Sequence, residues 1–468
     1  MTYGLLIDGA LVAGAATLPV INPATGAVWT EVPRASAEQA EQAISAARAA
    51  QPAWARVPLK ERQAALSTLA DAVEADSEAF ARTIVMEQGK PLAEATAEVA
   101  YTVFFLRAFA AKDLPSQIIR DDEGLRVELH HKPLGVVAGI TPWNFPLLIA
   151  SYKLAPAVLL GNTFILKPAP TTPVSALMLA KAAASLFPKG VVNVLVDDND
   201  LGALLSAHPD IAKVSFTGST ATGRRVLTSA ADTIKRVTLE LGGNDAAIVL
   251  EDADVKRAAP GIFATAFGNA GQVCIAVKRV YAHRSLYDAL CDELTQLANA
   301  SVIGDGLEQG VTMGPLQNAA QYAKARHYLD IAHRDGTVVA GGQMPSGDGY
   351  FVQPTIVRDI ASQSPLVIEE QFAPILPILP FDDVDGAIRD VNAGEYGLGG
   401  SIWASDVERA RSLATQIETG TVWINHHQHF DPDIPFPGAK QSGLGVEFGE
   451  EGLAEFSQTA VISIAKGA

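Results

Sequence analysis

The spacing of apolar and polar positions divides the chain into segments with different predicted structures. Residues 1–30 contain short apolar segments separated by turn residues, which predicts short strands and turns. Residues 36–112 are rich in alanine and predict helices, with Ser36 and Asp71 available as helix caps. Residues 118–132 carry an Asp-Asp-Glu-Gly turn in the middle and predict a β-hairpin.

From residue 133 onward, apolar segments alternate with helical ones. Such alternation predicts parallel sheets and an α/β fold. We predict strands in two series, the second of which follows residue 241: residues 136–140, 162–166, 191–196 and 214–217, then 246–250, 279–283, 336–340 and 420–425. The segment 456–464 alternates like an edge strand. An edge strand and a protruding hairpin both favour pairing with a second subunit.

Length and charge limit the classes of function. At 468 residues, with 48% apolar and 19% charged residues, the chain has the composition of an ordinary globular protein of two or three domains. The formal net charge of −17 argues against nucleic acid or an anionic membrane as the main partner.

The cysteines and the N-terminus indicate the compartment. Cys274 and Cys291 are too few for a disulfide framework and lie in no zinc-binding pattern, so we expect a reducing compartment and no metal site. The N-terminus lacks the basic region of a signal peptide. The most apolar stretch, 133–166, is interrupted by prolines and by Lys153, which indicates buried core and not a membrane span. We therefore expect a cytoplasmic protein.

The strongest chemical candidate is Cys274, in the run Phe-Gly-Asn-Ala-Gly-Gln-Val-Cys-Ile-Ala at residues 267–276. Small neighbours let a ligand approach the sulfur, and adjacent N–H groups can stabilise developing negative charge. The alternative is an inert cysteine in the core. Glu240, beside two glycines, offers a carboxylate to the same chemistry.

Other segments could bind a phosphorylated cofactor. Residues 216–223 follow a predicted strand and open a helix, which favours an anion, although they match neither the Gly-x-Gly-x-x-Gly fingerprint nor a P-loop. A capped Gly/Ser/Thr turn is the alternative. Lys167 ends a predicted strand and could reach a ribose or phosphate; the alternative is a solvated lysine.

Two loops offer further polar groups. The prolines of Thr-Pro-Trp-Asn-Phe-Pro at residues 141–146 make that loop rigid and aim Asn144, whose amide suits an oxyanion, although a structural turn would also explain it. Glu370 could hold ribose hydroxyls and Phe372 could pack on a flat ring, or both belong to an ordinary charged loop.

Ten motifs occur in one order along the chain and together resemble the aldehyde dehydrogenase superfamily from residue 22 to residue 456. They are Pro142-Trp-Asn-Phe-Pro, Lys167-Pro-Ala-Pro, Phe216-Thr-Gly-Ser-Thr, Leu239-Glu-Leu-Gly-Gly-Asn-Asp, Gly271-Gln-Val-Cys, Met313-Gly-Pro, Glu369-Glu-Gln-Phe-Ala-Pro, Asn392-Ala-Gly-Glu-Tyr-Gly-Leu, Gly420-Thr-Val-Trp-Ile-Asn and Lys440-Gln-Ser-Gly.

The resemblance implies a Rossmann-type cofactor domain, an α/β catalytic domain and a small β element for oligomerisation. The cofactor domain would span residues 1–116 and 134–240, and the catalytic domain residues 241–452. The oligomerisation element would comprise residues 117–133 and 453–468. Family members are usually homodimers or homotetramers.

The resemblance also implies an NAD(P)-dependent reaction. Cys274 would attack the aldehyde, Asn144 and the Cys274 N–H would hold the oxyanion, and Glu240 would activate the water that hydrolyses the thioester. The implied cofactor contacts are Thr141, Pro142, Trp143, Lys167, Pro170, Phe216, Gly218, Ser219, Thr222, Leu241, Gly242, Glu370 and Phe372.

Departures from the family pattern bear on the cofactor. Many NAD-preferring members carry a glutamate where this chain has Pro170, and that carboxylate would bond the adenosine ribose and repel a 2′-phosphate. Its absence makes NADP use possible beside NAD.

Two further departures concern the backbone near the site. Ala373 and Pro437 replace usual glycines, and neither touches a reacting atom.

The residues that match the substrate tunnel favour a hydrophobic or aromatic aldehyde over a charged semialdehyde. They are Phe145, Ile149, Tyr152, Phe430 and Phe436. We interpret His426, His427 and His429 as a polar loop at the tunnel mouth, with metal binding as the alternative. Two other functions stay open: a CoA-acylating dehydrogenase, against which Glu240 argues, and a catalytically silent binding protein.

Overall fold

The computed structural model describes residues 3–466; residues 1–2 and 467–468, which belong to the predicted ranges 1–116 and 453–468, lie outside the described residues. The helices are α1 (Ala37–Trp54), α2 (Leu59–Ala75), α3 (Ser77–Gln88), α4 (Leu92–Ala110), α5 (Pro146–Leu159), α6 (Val174–Ala183), α7 (Gly202–Ala207), α8 (Thr220–Ala230), α9 (Val255–Phe267), α10 (Arg284–Ala300), α11 (Ala319–Asp335), α12 (Pro365–Ile368), α13 (Val384–Asn392), α14 (Val407–Ala414) and α15 (Gly449–Ala454), with short 3₁₀ turns at Ala231–Thr233 and Gly268–Gly271.

The strands within the first 240 residues are β1 (Leu5–Ile7), β2 (Ala10–Val12), β3 (Ala16–Asn22), β4 (Ala27–Arg34), β5 (Gln117–Asp121), β6 (Leu125–Pro133), β7 (Val136–Ile140), β8 (Thr163–Lys167), β9 (Val192–Val194), β10 (Ile211–Thr217) and β11 (Arg236–Glu240). The later strands are β12 (Asp245–Val249), β13 (Val277–His283), β14 (Thr337–Ala340), β15 (Thr355–Arg358), β16 (Ile375–Phe381), β17 (Tyr396–Gly397), β18 (Gly399–Trp403), β19 (Thr421–Ile424), β20 (Phe436–Pro437), β21 (Ala439–Lys440), β22 (Gly443–Leu444), β23 (Val446–Glu447) and β24 (Ser457–Ala465).

The first large sheet has the strand order β2-β1-β9-β8-β7-β10-β11-β22. Its five central strands, β9 to β11 in that order, are mutually parallel, and β1, β2 and β22 join the edges in antiparallel pairs. The central strands therefore have the doubly wound order, which reverses between β7 and β10. Helices α5 and α6 pack on this sheet, as do α7 and α8.

The second large sheet has the order β14-β15-β16-β13-β12-β18-β19, parallel throughout except for β14. Its strand β12 is buried on both faces. Ala246 and Ile248 pack into one hydrophobic cluster, whereas Ala247 and Val249 pack into another on the opposite face. A run of apolar residues without alternation is typical of such a two-sided parallel strand.

A third sheet, ordered β24-β6-β5, is antiparallel, and its edges are β24 and β5. It contains the predicted hairpin and the predicted C-terminal edge strand. The remaining strand pairs, β3 with β4, β17 with β21 and β20 with β23, are small antiparallel pairs. Among residues 3–466, no helix is long and apolar enough to cross a membrane.

The α/β class and the parallel sheets are confirmed, and each predicted segment overlaps an observed strand. Ser36 caps α1 and forms a capping box with Gln39. The prediction for Asp71 was wrong: it lies inside α2, where it pairs with Arg107.

Five strands of the large sheets, β11, β15, β16, β18 and β22, were not predicted. Strand β16 contains Pro377 and Pro380, and β18 begins with two glycines. Proline and glycine are both unfavourable in strands, so the sequence pattern did not indicate these two strands. Packing between neighbouring strands overrides that local preference.

Candidate active site

A cavity lies where strand ends of the two large sheets come together. The first sheet contributes the segments at the carboxyl ends of β7, β10 and β11, and the second sheet contributes the segments that precede β13 and β16. Ligands of doubly wound sheets bind at this edge, beside the reversal of strand order. The lining residues are Pro142, Trp143, Asn144, Thr217, Gly218, Ser219, Glu240, Leu241, Gly242, Cys274, Gln321, Lys324, Glu370 and Phe372.

A second cavity of about 290 Å³ adjoins the first and is mostly apolar. Its lining residues are Glu94, Ala97, Glu98, Tyr101, Asn144, Phe145, Leu148, Ile149, Tyr152, Glu240, Gly268, Asn269, Val273, Cys274, Ile275, Gln428, Phe430, Phe436 and Phe448. Asn144, Glu240 and Cys274 line both cavities. The structure therefore brings the three predicted catalytic residues to the boundary between the two cavities, of which the first has the more polar lining.

Cys274 lies in a loop with an unusual backbone. Before it, Asn269 and Ala270 adopt left-handed conformations with φ of 50° and 54°, which are uncommon for residues other than glycine. After it, the buried Lys278 donates to the carbonyl oxygens of Val273 and Cys274 at 2.9 and 2.6 Å. The loop is thus fixed from both sides of the thiol.

Burial sets the protonation of the cysteine and the glutamate. It raises the pKa of the Cys274 thiol well above its usual value; the charge of Glu240 acts in the same direction, and Lys278 opposes it. Burial also raises the pKa of Glu240 to about 8, against a hydrogen bond to Cys274 and the charge of Lys153. Near neutral pH both groups are therefore mostly protonated, and Glu240 is a base of moderate strength.

Asn144 is held by buried hydrogen bonds. Its Nδ2 donates to the carbonyl oxygen of Gln272 at 3.0 Å, which leaves the second amide hydrogen free for a ligand. Its backbone carbonyl accepts from Lys90 Nζ at 2.9 Å and from Asn269 Nδ2 at 3.0 Å. Lys90 in turn forms a fully buried ion pair with Glu98, at 2.7 Å. Asn144 can therefore not move without breaking buried polar contacts.

Sequence reasoning missed two buried ion pairs near the site, Lys90 with Glu98 and Lys153 with Glu447 at 2.6 Å. A signal existed for the second pair, because Lys153 stands alone in an apolar helix, and a buried lysine is almost always paired. The predicted site residues also omit Thr217, Gln321 and Lys324, which line the first cavity. Thr217 lies inside the motif that begins at Phe216, whereas Gln321 and Lys324 lie in α11, outside every motif.

The predicted cofactor contacts separate into two groups. Eight of them line the first cavity: Pro142, Trp143, Gly218, Ser219, Leu241, Gly242, Glu370 and Phe372. Five do not: Thr141, Lys167, Pro170, Phe216 and Thr222. Phe216 is buried beneath Gly218, and the Thr222 N–H donates to Ser219 Oγ, the cap of α8. Lys167 lies further along the same edge, at the end of β8.

The first cavity fits a flat group with polar edges. Trp143 and Phe372 meet edge to face with ring centroids 5.6 Å apart. Buried Thr217 Oγ1 has no partner within the part of the chain that the structure describes. A side chain at Gly242 would come within 2.5 Å of Glu370 Oε2, so only glycine leaves the space open. These features suit a nicotinamide ring and its ribose.

The five predicted substrate residues all line the second cavity. Aromatic rings dominate its wall: Tyr152 and Phe430 both contact Phe448, at centroid distances of 4.9 and 6.1 Å. Glu94 and Glu98 also line it, and Lys90 Nζ lies 3.8 Å from the centre of the Phe145 ring. The cavity is therefore apolar, with carboxylates on one side.

The histidine loop differs from its prediction. It reaches the second cavity through Gln428 and Phe430, whereas none of the three histidines lines it. His427 is buried behind the cysteine loop, with Nε2 2.9 Å from the carbonyl oxygen of Ile275. Within residues 3–466, no group of three metal-ligating side chains converges.

Comparisons with known proteins agree with this geometry. The model of the aldehyde dehydrogenase family matches residues 11–462. A phenylacetaldehyde dehydrogenase of Pseudomonas fluorescens is 38% identical over 465 residues, covering 96% of this chain and 93% of the relative. A glutarate-semialdehyde dehydrogenase of Pseudomonas aeruginosa is 39% identical over 458 residues, covering 96% and 95%.

Solved structures give the same result. The NAD⁺ complex of an aldehyde dehydrogenase from Bacillus cereus superposes with a TM-score of 0.97 at 36% identity, covering 99% of this chain and 97% of that one. An NADP-dependent enzyme from E. coli has a TM-score of 0.97 at 37% identity, covering 99% and 98%. The chain belongs to the aldehyde dehydrogenase family.

Proposed function

We propose that this enzyme oxidises a hydrophobic or aromatic aldehyde to its carboxylic acid, with NAD or NADP as the hydride acceptor and Cys274 as the nucleophile. The observation that carries the proposal is the position of Cys274, Glu240 and Asn144 on the wall shared by the two cavities. A substrate in the apolar cavity and a cofactor in the polar one would meet only there.

In the first step, Cys274 Sγ bonds to the carbonyl carbon of the aldehyde. The thiol first loses its proton to the solvent, and the resulting thiolate is the attacking group. Negative charge then develops on the former carbonyl oxygen. The free amide hydrogen of Asn144 and the backbone N–H of Cys274 would stabilise it, in a site from which water is largely excluded.

When bound, the nicotinamide cofactor supplies the acceptor for the hydride that the substrate carbon releases. The acyl group stays on Cys274 as a thioester. Glu240 then takes a proton from a water molecule, whose oxygen attacks the acyl carbon. The carbon–sulfur bond breaks, the carboxylic acid leaves, and the thiolate takes up a proton. A carboxyl with a pKa of about 8 can both accept and return that proton near neutral pH.

The residues at the first cavity support a nicotinamide cofactor. Trp143, Ser219, Glu370 and Phe372 would hold the nicotinamide end, and Lys167 lies towards the adenosine end of the same sheet edge. Structural neighbours include an NAD⁺ complex and an NADP-dependent enzyme, so the relatives support both cofactors.

The walls of the second cavity support an uncharged substrate. A carboxylated aldehyde would bring a second negative charge close to Glu94, because the nearby Lys90 charge is already paired with Glu98. Burying a charge without a partner is unfavourable. The relatives include both a phenylacetaldehyde and a glutarate-semialdehyde enzyme, and this wall favours the first kind of substrate.

We also propose the domain division expected from the resemblance, with the first large sheet in the cofactor domain and the second in the catalytic domain. The third sheet would join a second copy of the chain into a dimer or tetramer. Its edge strands carry several exposed apolar side chains, and groups of exposed apolar residues often mark interaction surfaces. They are Ile118, Ile119, Val461, Ile462 and Ile464.

Replacing Cys274 by Ala should lower the rate of aldehyde-dependent NADH formation at least about a thousandfold, because Cys274 is the proposed nucleophile on the wall that the two cavities share. Binding of NADH, followed by fluorescence, should persist. Cys291→Ala is the matched control: that cysteine is buried in the second sheet's core, and burial raises its pKa to about 12. Full activity in Cys274→Ala would reject the assignment.

Glu240→Gln should slow hydrolysis of the thioester, because the amide cannot take a proton from water. Rapid mixing should then show a burst of NADH and an acyl-enzyme detectable by mass. In the wild type, the hydrolysis rate should rise with pH and level off above about 8, since the carboxyl acts only when ionised and its pKa is about 8. An unchanged steady state and pH profile in the variant would contradict the base assignment.

Phenylacetaldehyde should be oxidised with a kcat/KM at least about tenfold higher than that of glutarate semialdehyde, because only the second carries a charge into the apolar cavity. Glu94→Gln should reduce the ratio of the two kcat/KM values, because it should raise kcat/KM for glutarate semialdehyde. Initial rates with both aldehydes, for both proteins, test this. A higher kcat/KM for the semialdehyde would contradict the proposed substrate class but would not affect the assignment of the catalytic residues.

Light scattering coupled to size exclusion should give the mass of a dimer or tetramer. Val461→Arg should reduce it, because Val461 is 60% exposed on the edge strand β24 and an interface would bury it. The control is Val28→Arg, on a strand valine that is 57% exposed in the β3–β4 pair. A monomeric wild type would contradict the oligomer proposal.

A further inference from the structure

A buried ion pair lies at the carboxyl ends of two neighbouring strands of the first sheet. Lys167 is the last residue of β8, and Asp197 follows the end of β9. Lys167 Nζ is 2.7 Å from Asp197 Oδ1, with side-chain exposures of 5% and 0%. Asp197 Oδ2 accepts from the N–H of Leu201 at 2.9 Å, so both carboxylate oxygens are occupied.

A dinucleotide whose nicotinamide occupied the first cavity would extend its adenosine ribose along the sheet edge towards this pair. The strands β8 and β9 lie beside β7 in the doubly wound order, and the cavity with the proposed catalytic residues begins at the end of β7. In such sheets an acidic side chain near a strand end favours a ribose with a free 2′-hydroxyl, whereas a 2′-phosphate requires an available cation.

Other charges near this edge do not help a phosphate. Pro170, three residues after Lys167, has no charge. Asp198 and Asp200 follow Asp197 in the same loop and both pair with Arg34, at 3.7 and 2.7 Å. The three carboxylates of Asp197, Asp198 and Asp200 thus face only two cations, Lys167 and Arg34. The net charge of this group is therefore negative even without a cofactor phosphate.

We infer that Asp197 makes this enzyme favour NAD over NADP. It holds the Lys167 ammonium in a buried pair, so that this cation is not free to neutralise a 2′-phosphate, and it adds a negative charge that repels one. The inference rests on the proposed function. It also gives Asp197 the role that Pro170 cannot fill, because proline carries no carboxylate.

The alternative is that Asp197 only holds its loop in place through Lys167 and Leu201. A structural role would change the affinities for NAD⁺ and NADP⁺ together, whereas a role in specificity changes their ratio. The ratio of the two dissociation constants is therefore the informative quantity, and it can be measured without an aldehyde.

Isothermal titration of the full-length wild type should give NAD⁺ a dissociation constant at least about tenfold lower than that of NADP⁺. In Asp197→Asn, which keeps an oxygen for the Leu201 N–H, the difference should shrink by about tenfold, mainly through tighter NADP⁺ binding. The double variant Lys167→Met with Asp197→Asn should not bind NADP⁺ more tightly than the wild type, because it lacks the ammonium group that Asp197→Asn makes available to the 2′-phosphate.

The matched control is Asp200→Asn, in the same loop, whose side chain is 51% exposed. Solvent and salt screen an exposed charge, so this variant should change the ratio by less than about twofold. Circular dichroism melting of each variant establishes that it is folded.

Equal wild-type affinities for NAD⁺ and NADP⁺ would overturn the inference without any variant. So would an unchanged ratio in folded Asp197→Asn, or an equal loss of both affinities. These results are distinct from failure of the proposed function, which would appear as strong cofactor binding without oxidation of any aldehyde, or as no binding of either cofactor by the wild type.

Discussion

The buried polar contacts around Asn144 are the constraint on which the active site depends. Lys90 and Glu98 lie at the end of α3 and within α4, yet their ion pair fixes the loop that follows β7. Asn269 and Gln272 connect the same loop to the segment before the nucleophile. A buried charge must keep its partner, so Asn144, the proposed donor to the oxyanion, and Cys274, the proposed nucleophile, stay at a fixed distance from each other.

The same burial that fixes the geometry also determines the acid–base chemistry. Removal of water makes the thiol of Cys274 harder to ionise and weakens Glu240 as an acid until its pKa is about 8. A carboxylate in water would be too weak a base for this task. The low-dielectric site therefore makes a common side chain suitable for proton transfer near neutral pH, and the buried charges of Lys153 and Glu447 adjust it.

The edge of the first sheet has different electrostatics along its length. Beside the reversal of strand order, burial raises the pKa of Glu240 to about 8. At the ends of β8 and β9, Lys167 and Asp197 form a buried ion pair. Pro170, taken alone, predicts weaker discrimination between NAD and NADP. The neighbouring strand end supplies a carboxylate to the same region, since strands adjacent in a parallel sheet end side by side. A substitution in one motif can thus be compensated by a residue outside it.

The sequence by itself determined the alternation of strands and helices, the family, and the identity of Cys274, Glu240 and Asn144 as candidates. These follow from local hydrophobic period and from short motifs, which are properties of contiguous residues. Tertiary structure decided the strands that contain proline or glycine, such as β16, and every buried ion pair. Lys167 finds its partner 30 residues away and Lys153 finds its partner 294 residues away. A local pattern can show that a lysine will be buried, as at Lys153, but it does not identify the partner. Each pair forms only when packing brings distant segments together and removes the water that would otherwise solvate both charges.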